Sequence, residues 1–266
     1  MRKAPIASAA FSLVELSIVL VILGLLTGGI LGGQSLIKAA ELRSVSQEYA
    51  KYTTALMQFR DKYFALPGDM PNATAFWGAI DGNDGLGGDC HYASSAGTTA
   101  TCNGNGSGEL NSTSATNHYE MFRVWHHLAN AGLIEGSYTG IKASGGFSGH
   151  MIIGQNIPAS KFSRGSWSMR VSEVFSAHPN VFDGTYRNWL NFGGAVLNDA
   201  NYGTILTPQE MWNIDTKMDD GKPAQGKVWT RGWDLCTTAA SAADLSAEYV
   251  LSNSGLDCGF IVRDYM

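Results

Sequence analysis

Apolar positions are distributed unevenly along the chain. From Phe11 to Ile37 the stretch FSLVELSIVLVILGLLTGGILGGQSLI is apolar almost throughout. As a helix rising about 1.5 Å per residue it is long enough to cross the roughly 30 Å hydrocarbon core of a bilayer. Charge returns at Lys38, Glu41 and Arg43 without breaking the helical pattern. Val45, Tyr49, Tyr52, Leu56, Phe59 and Tyr63 then recur at helical spacing, forming one apolar stripe, while Lys51, Arg60, Asp61 and Lys62 lie off it. No proline intervenes before Pro67, so the pattern predicts one continuous helix from about Ser12 to Tyr63.

Beyond it the periodicity shortens. Leu66 to Gly78, punctuated by Pro67, Gly68 and Pro71, predicts a turn and a short helix that packs Phe76 and Trp77 back on the long one. Asp81 to Asn117 is polar and rich in Gly, Ser, Asn and Thr. Asn117 to Leu133 reads as a helix with Tyr119, Phe122, Trp125, Leu128 and Ala129 on one face and Gly132 at its end. His118, His126 and His127 on this helix read as structural or surface residues. Short runs rich in β-branched and aromatic residues follow at His150–Gly154, Trp167–Val171, Trp189–Phe192, Lys227–Arg231 and Phe260–Arg263, which predicts an antiparallel sheet. Between them, TPQE sets Thr207 as N-cap, Pro208 at the first helical position and Glu210 as the reciprocal partner of a capping box, with Gly221 and Pro223 closing that helix. The fold class expected is α+β: a long N-terminal helix packed on a C-terminal antiparallel β-sheet head.

With 266 residues the chain accommodates one membrane-spanning segment and one globular domain. Formal net charge is −5 and no basic stripe appears, so nucleic acid is not an expected partner. The N-terminal basic residues, Arg2 and Lys3, place that end in the cytoplasm by the positive-inside rule. The head then lies on the oxidising side, where disulfides persist. Cys90, Cys102, Cys236 and Cys258 suit that compartment. Four cysteines allow three connectivities; the sequence-local one is Cys90–Cys102 with Cys236–Cys258. A zinc site is the rival, but there is no CxxC pair and the histidines are scattered. No GxSxG, HExxH or phosphate-binding glycine loop is present, so no catalytic residues are assigned and an enzyme is not expected.

Two acidic groups bear on metal binding. In DGNDGLGGD, Asp81, Asn83, Asp84 and Asp89 offer oxygen ligands of the kind calcium takes. The EF-hand spacing fails, because Leu86 stands where the turn glycine belongs and Tyr92 where the bidentate Glu belongs. Two readings stay open: a solvated turn, or a calcium loop of another type. Asp215, Asp219 and Asp220 sit toward the C-terminus of the capped helix, where negative charge opposes the helix dipole. Lys217 and Lys222, backbone donors in the following turn, or a bound cation would each compensate.

The remaining oddity is Glu15, the one ionisable residue in the apolar stretch. A carboxylate in hydrocarbon costs about 2.5 kcal/mol or more, depending on depth. It is preceded by Arg2 and Lys3, the small residues of IASAA, and Phe11. A secretory signal peptide would place its small residues after a shorter apolar run, not before a longer one. The order basic residues, small residues, Phe, Ser, two aliphatics, Glu, apolar run resembles the N-terminus of type IV prepilins and type II secretion pseudopilins. The resemblance covers about the first 35 residues.

It implies a leader, residues 1–10, removed between Ala10 and Phe11 by a prepilin peptidase, followed by methylation of the new Phe11 amine. The family usually has Gly where this chain has Ala10. It also implies that Glu15 pairs with the Phe11 amine of a neighbouring subunit and so sets assembly register. On this reading residues 11–37 are the transmembrane and assembly helix, 38–64 its amphipathic continuation, and 65–266 a pilin-like α+β head. A disulfide-bounded loop from Cys236 to Cys258 resembles the variable C-terminal region of type IV pilins.

The function implied is that of a structural subunit of a pilus-like filament, of the minor or specialised kind. A secretion pseudopilin is the alternative, and a membrane-tethered extracytoplasmic binding or enzymatic domain is the alternative of another class. The implied partners are other pilin subunits, the peptidase, an inner-membrane assembly platform and the membrane itself. The implied location is the bacterial inner membrane, then a periplasmic or extracellular filament.

Overall fold

In a computed structural model, which describes residues 12–82, 94–110, 120–143, 150–171 and 173–263, the first helix α1 runs unbroken over Leu13–Tyr63. The chain divides between Glu41 and Leu42 into two units, and α1 contributes residues to both. In the first unit the large apolar side chains are exposed, from Leu13 to Ile37. One helix is thus long and apolar enough to span a membrane, and it lies near the N-terminus.

The second unit begins with the amphipathic half of α1. Leu42, Val45, Tyr52, Ala55, Leu56 and Phe59 are buried, and Tyr49 and Tyr63 pack against them half-buried. This is the stripe read from the sequence. Each such side chain fully removed from water contributes about 1.5–3 kcal/mol. The helix stops at Phe64, whose φ of 54° lies in the left-handed region, and Pro67 follows. The short helix α2, Ala73–Trp77, returns against α1 as expected, with Tyr63 and Phe76 ring centroids 5.2 Å apart and Phe59 and Trp77 6.2 Å apart. Helix α3, Glu120–Asn130, buries Phe122, Trp125 and Leu128 and is followed by Gly132 at φ 72°.

Strands β1 (Gly165–Met169), β2 (Glu173–Phe175), β3 (Gly184–Tyr186) and β4 (Leu190–Gly194) precede helix α4 (Pro208–Met218). Then come β5 (Val228–Arg231), the single turn α5 (Trp233–Cys236) and β6 (Gly259–Val262). The main sheet has the order β1-β4-β6-β5, with every neighbouring pair antiparallel. Its register places Trp167 opposite Phe192 and Phe192 opposite Phe260. The rings meet at 4.9 and 5.0 Å, the cross-strand pairing that stabilises sheets.

All four strands of this sheet are buried along their length. One face meets α1 through Tyr49 and Tyr52, which approach Trp167 at 6.5 and 6.0 Å. A second apolar cluster gathers Phe182, Tyr186, Trp189, Trp229 and Ile261. The α+β architecture, a long apolar N-terminal helix followed by an antiparallel sheet, is the one expected.

Two expectations differ in detail. His150–Gly154 is not a strand. The Asn156 side chain satisfies its backbone instead: Oδ1 accepts from Ile152 N at 2.7 Å, and Nδ2 donates to His150 O at 3.2 Å. The chain then turns back, with Gly154 N donating to Ile157 O at 2.8 Å. The β2–β3 pair, on the other hand, was not anticipated; its strands are three residues each, too short to show a period.

Candidate functional site

The candidate site for assembly is the N-terminal half of α1. Its first turn is capped from within. Ser12 Oγ accepts from Val14 N at 3.3 Å, and a Glu15 carboxylate oxygen accepts from Ser12 N at 2.9 Å. That is the reciprocal logic of a capping box, with an anion at the positive end of a helix dipole. Glu15 is exposed within the chain. Ala10 and Phe11 lie outside the described residues.

The hydroxyl side chains further along are internally satisfied. Ser17 Oγ donates to Val14 O at 2.9 Å, Thr27 Oγ1 to Leu23 O at 2.8 Å, and Ser35 Oγ to Gly32 O at 2.8 Å. Hydroxyls bonded to their own helix demand nothing from a surrounding apolar medium. Beyond the helix's own neighbouring backbone, a Cβ added at Gly24, Gly28, Gly29, Gly32 or Gly33 would meet no atom of the described residues within 4 Å. No contact among the described residues therefore calls for these glycines, each of which costs a helix up to about 1 kcal/mol against Ala.

The acidic cluster spans the last turn of α4 and the two residues that follow it. The capping box at Thr207 and Glu210 is present as read. One oxygen each of Asp215, Asp219 and Asp220 lies within 4.8 Å of the others. The set is all oxygen, the type a hard cation such as calcium takes. Yet each carboxylate has a protein donor. Tyr249 Oη donates to Asp215 at 2.7 Å, Lys227 N and Val228 N donate to Asp219 at 2.5 and 3.0 Å, and Lys222 N donates to Asp220 at 2.8 Å. Backbone donors at Lys222, Lys227 and Val228 thus compensate Asp220 and Asp219, while Asp215 is answered by the Tyr249 hydroxyl on one oxygen and its Oδ1 has no hydrogen-bond partner among the described residues. Asp215 is fully buried, and burial, with Asp219 and Asp220 close by, pushes its carboxyl up to about 7. In the other acidic stretch Asp81 is half-buried, while Asn83, Asp84 and Asp89 lie outside the described residues.

Cys236 and Cys258 are disulfide-bonded, with Cα atoms 5.3 Å apart. Cys102 is disulfide-bonded as well, and Cys90 lies outside the described residues.

Sequence reasoning missed one group. Glu48 sits on the buried face of α1 and accepts from Ser160 Oγ, Lys161 N and Trp167 Nε1 at 2.6, 2.7 and 2.8 Å. Its signal was an acid in line with Val45 and Tyr52 on the apolar stripe. His126 and His127 are buried, so of the two readings only the structural one holds. Gly68 N donates to His127 Nδ1 at 2.9 Å and Thr101 Oγ1 meets Nε2 at 2.8 Å. Burial holds His127 well below the usual imidazole range and His126 down to about 4, with the Arg123 guanidinium adding to both.

Comparison of the chain with protein-family models, with curated proteins and with solved structures finds no match in any of the three.

Proposed function

We propose that the chain is a structural subunit, of the minor or specialised kind, of a type IV pilus-like filament that assembles through the N-terminal half of α1. The observation that carries this reading is the pairing of two features on one helix. Large apolar side chains lie open from Leu13 to Ile37, and a single carboxylate, Glu15, stands at their N-terminal end. An apolar rod of this kind needs an environment. A bilayer supplies it before assembly, and a bundle of identical rods supplies it afterwards.

In this reading hydrolysis of the Ala10–Phe11 bond frees an amine on Phe11. The Glu15 carboxylate, already held by Ser12 N, takes the amine of a neighbouring subunit as its second partner. In a dry bundle an unmatched charge costs several kcal/mol, so only one register leaves none unmatched. The glycines Gly24 to Gly33 let helices approach closely. The head, on the extracytoplasmic side, carries the exposed surfaces. Its disulfide at Cys236–Cys258 suits that compartment.

Glu15→Ala tests the reading. The variant is expected to accumulate in the membrane at normal level and to be lost from the sheared filament fraction by at least about tenfold, the effect of an unpaired buried charge of a few kcal/mol. Filaments that incorporate the variant at the unaltered level reject the reading.

A further inference from the structure

We propose that the cavity between the β2–β3 pair and the end of β5 is a binding site for a small organic carboxylate. It measures about 560 Å³, within the range of small-molecule sites. Arg231, on β5, lines it while only 5 % exposed. Among the described residues no hydrogen-bond acceptor or carboxylate reaches its guanidinium, and its Nε is buried without a partner. It is held by stacking on the Tyr202 ring, 4.1 Å from the centroid.

Arg170, 7 % exposed, reaches the same ring at 5.0 Å. Its Nη2 meets Glu173 at 3.8 Å, its Nη1 meets Met121 Sδ at 4.0 Å, and its Nε is likewise buried and unpartnered. Two nearly buried guanidiniums thus share one aromatic ring, and the nearby carboxylate of Glu173 is met loosely by Arg170 alone. Burial and the neighbouring Arg170 lower Arg231 only to about 10, which leaves it charged at neutral pH.

The charge count selects the ligand. Arg170 and Arg231 supply two positive charges and Glu173 one negative, so a monoanion closes the balance. A guanidinium fork takes a carboxylate through paired N–H groups, and the unused nitrogens here are such donors. His178 adds another. Its Nδ1 accepts from Asn180 N at 3.1 Å, which puts the proton of the neutral ring on Nε2. Val174, Phe175 and Val181 provide apolar wall for the body of the molecule. The inference stands whether or not the chain forms filaments.

The test uses the full chain in a neutral detergent, with benzoate as probe, benzyl alcohol as its uncharged counterpart and inorganic phosphate as a second anion. Benzoate is expected to bind by calorimetry and raise the melting temperature, benzyl alcohol to do neither, and phosphate to bind more weakly than benzoate. Arg231→Met is expected to weaken benzoate about 30-fold or more, the effect of truncating one partner of a buried charge pair, and to melt no lower than the parent when no anion is present. Val174→Trp places a bulky ring at an exposed rim position, 75 % open, and is expected to block benzoate with the melt unchanged. This variant decides the matter should the arginine variant not fold. Absence of benzoate binding, equal binding by the variants and the parent, or tighter binding of phosphate would each overturn the proposal.

Discussion

The indole N–H of Trp167 donates to the Glu48 carboxylate at 2.8 Å, so one buried acid on α1 ties the helix to the first strand of the sheet. Ser160 and Lys161 use the remaining acceptor capacity of the same group. Tyr52, one turn on along the helix, packs its ring on Trp167 as well, at 6.0 Å. Polar and apolar anchoring therefore converge on one tryptophan.

Glu48→Ala strands three donors, one of them the buried Trp167 indole. The loss expected is on the order of 3 kcal/mol, larger than for an exposed acid such as Asp61. Chemical denaturation of the two variants beside the parent checks it; equal midpoints would show that Glu48 contributes nothing to holding helix and sheet together.

Asp215 makes stability depend on pH in an unusual direction. Its carboxyl is raised to about 7 in the fold against about 3.9 in the unfolded chain. The folded state therefore holds the extra proton between these values. Its contribution is complete below pH 4 and is lost as pH rises through 7. His126, lowered to about 4, acts in the opposite sense, favouring the fold above about pH 6.5 and losing that contribution as pH falls. The difference between Asp215→Asn and the parent isolates the acid. The variant is expected to gain on the order of 2–3 kcal/mol on the parent between pH 5 and pH 8. Melting curves at the two pH values measure this, and a difference that does not change with pH would contradict it.

The Cys236–Cys258 bond closes a loop of sequence separation 22. On the chain-entropy model a loop of that length stabilises by about 3 kcal/mol. Replacing both cysteines by serine is expected to lower the melting temperature of the head clearly, and reductant to lower the parent further than the variant, which keeps the disulfide of Cys102. A variant that melts with the parent would show that the start of β6 holds without its staple.

The elements that could be read from the sequence are those with a long period or a local chemical signature. The stripe from Val45 to Tyr63 repeats over several turns, and only an amphipathic helix explains it. Thr207 and Glu210 name a helix start by themselves, because the capping box is a contact between residues three apart. The strand at His150–Gly154 failed for the opposite reason. Its composition suits a strand, but Asn156, outside the run, takes its backbone hydrogen bonds. Nor did any pattern announce that Arg170 and Arg231 would meet over Tyr202. Those three residues lie on separate segments, and only the fold brings their charges to one cavity. Glu15 was legible because its cost in an apolar run is a property of the run itself.

The measurement closest to the central proposal is the intact mass of the N-terminal peptide from protein extracted out of membranes. The account predicts a chain that starts at Phe11 and carries one methyl group on its amine, the group offered to Glu15 of the next subunit. A chain that keeps residues 1–10 would contradict it, since the Phe11 nitrogen would then be a peptide amide with no charge to answer the acid.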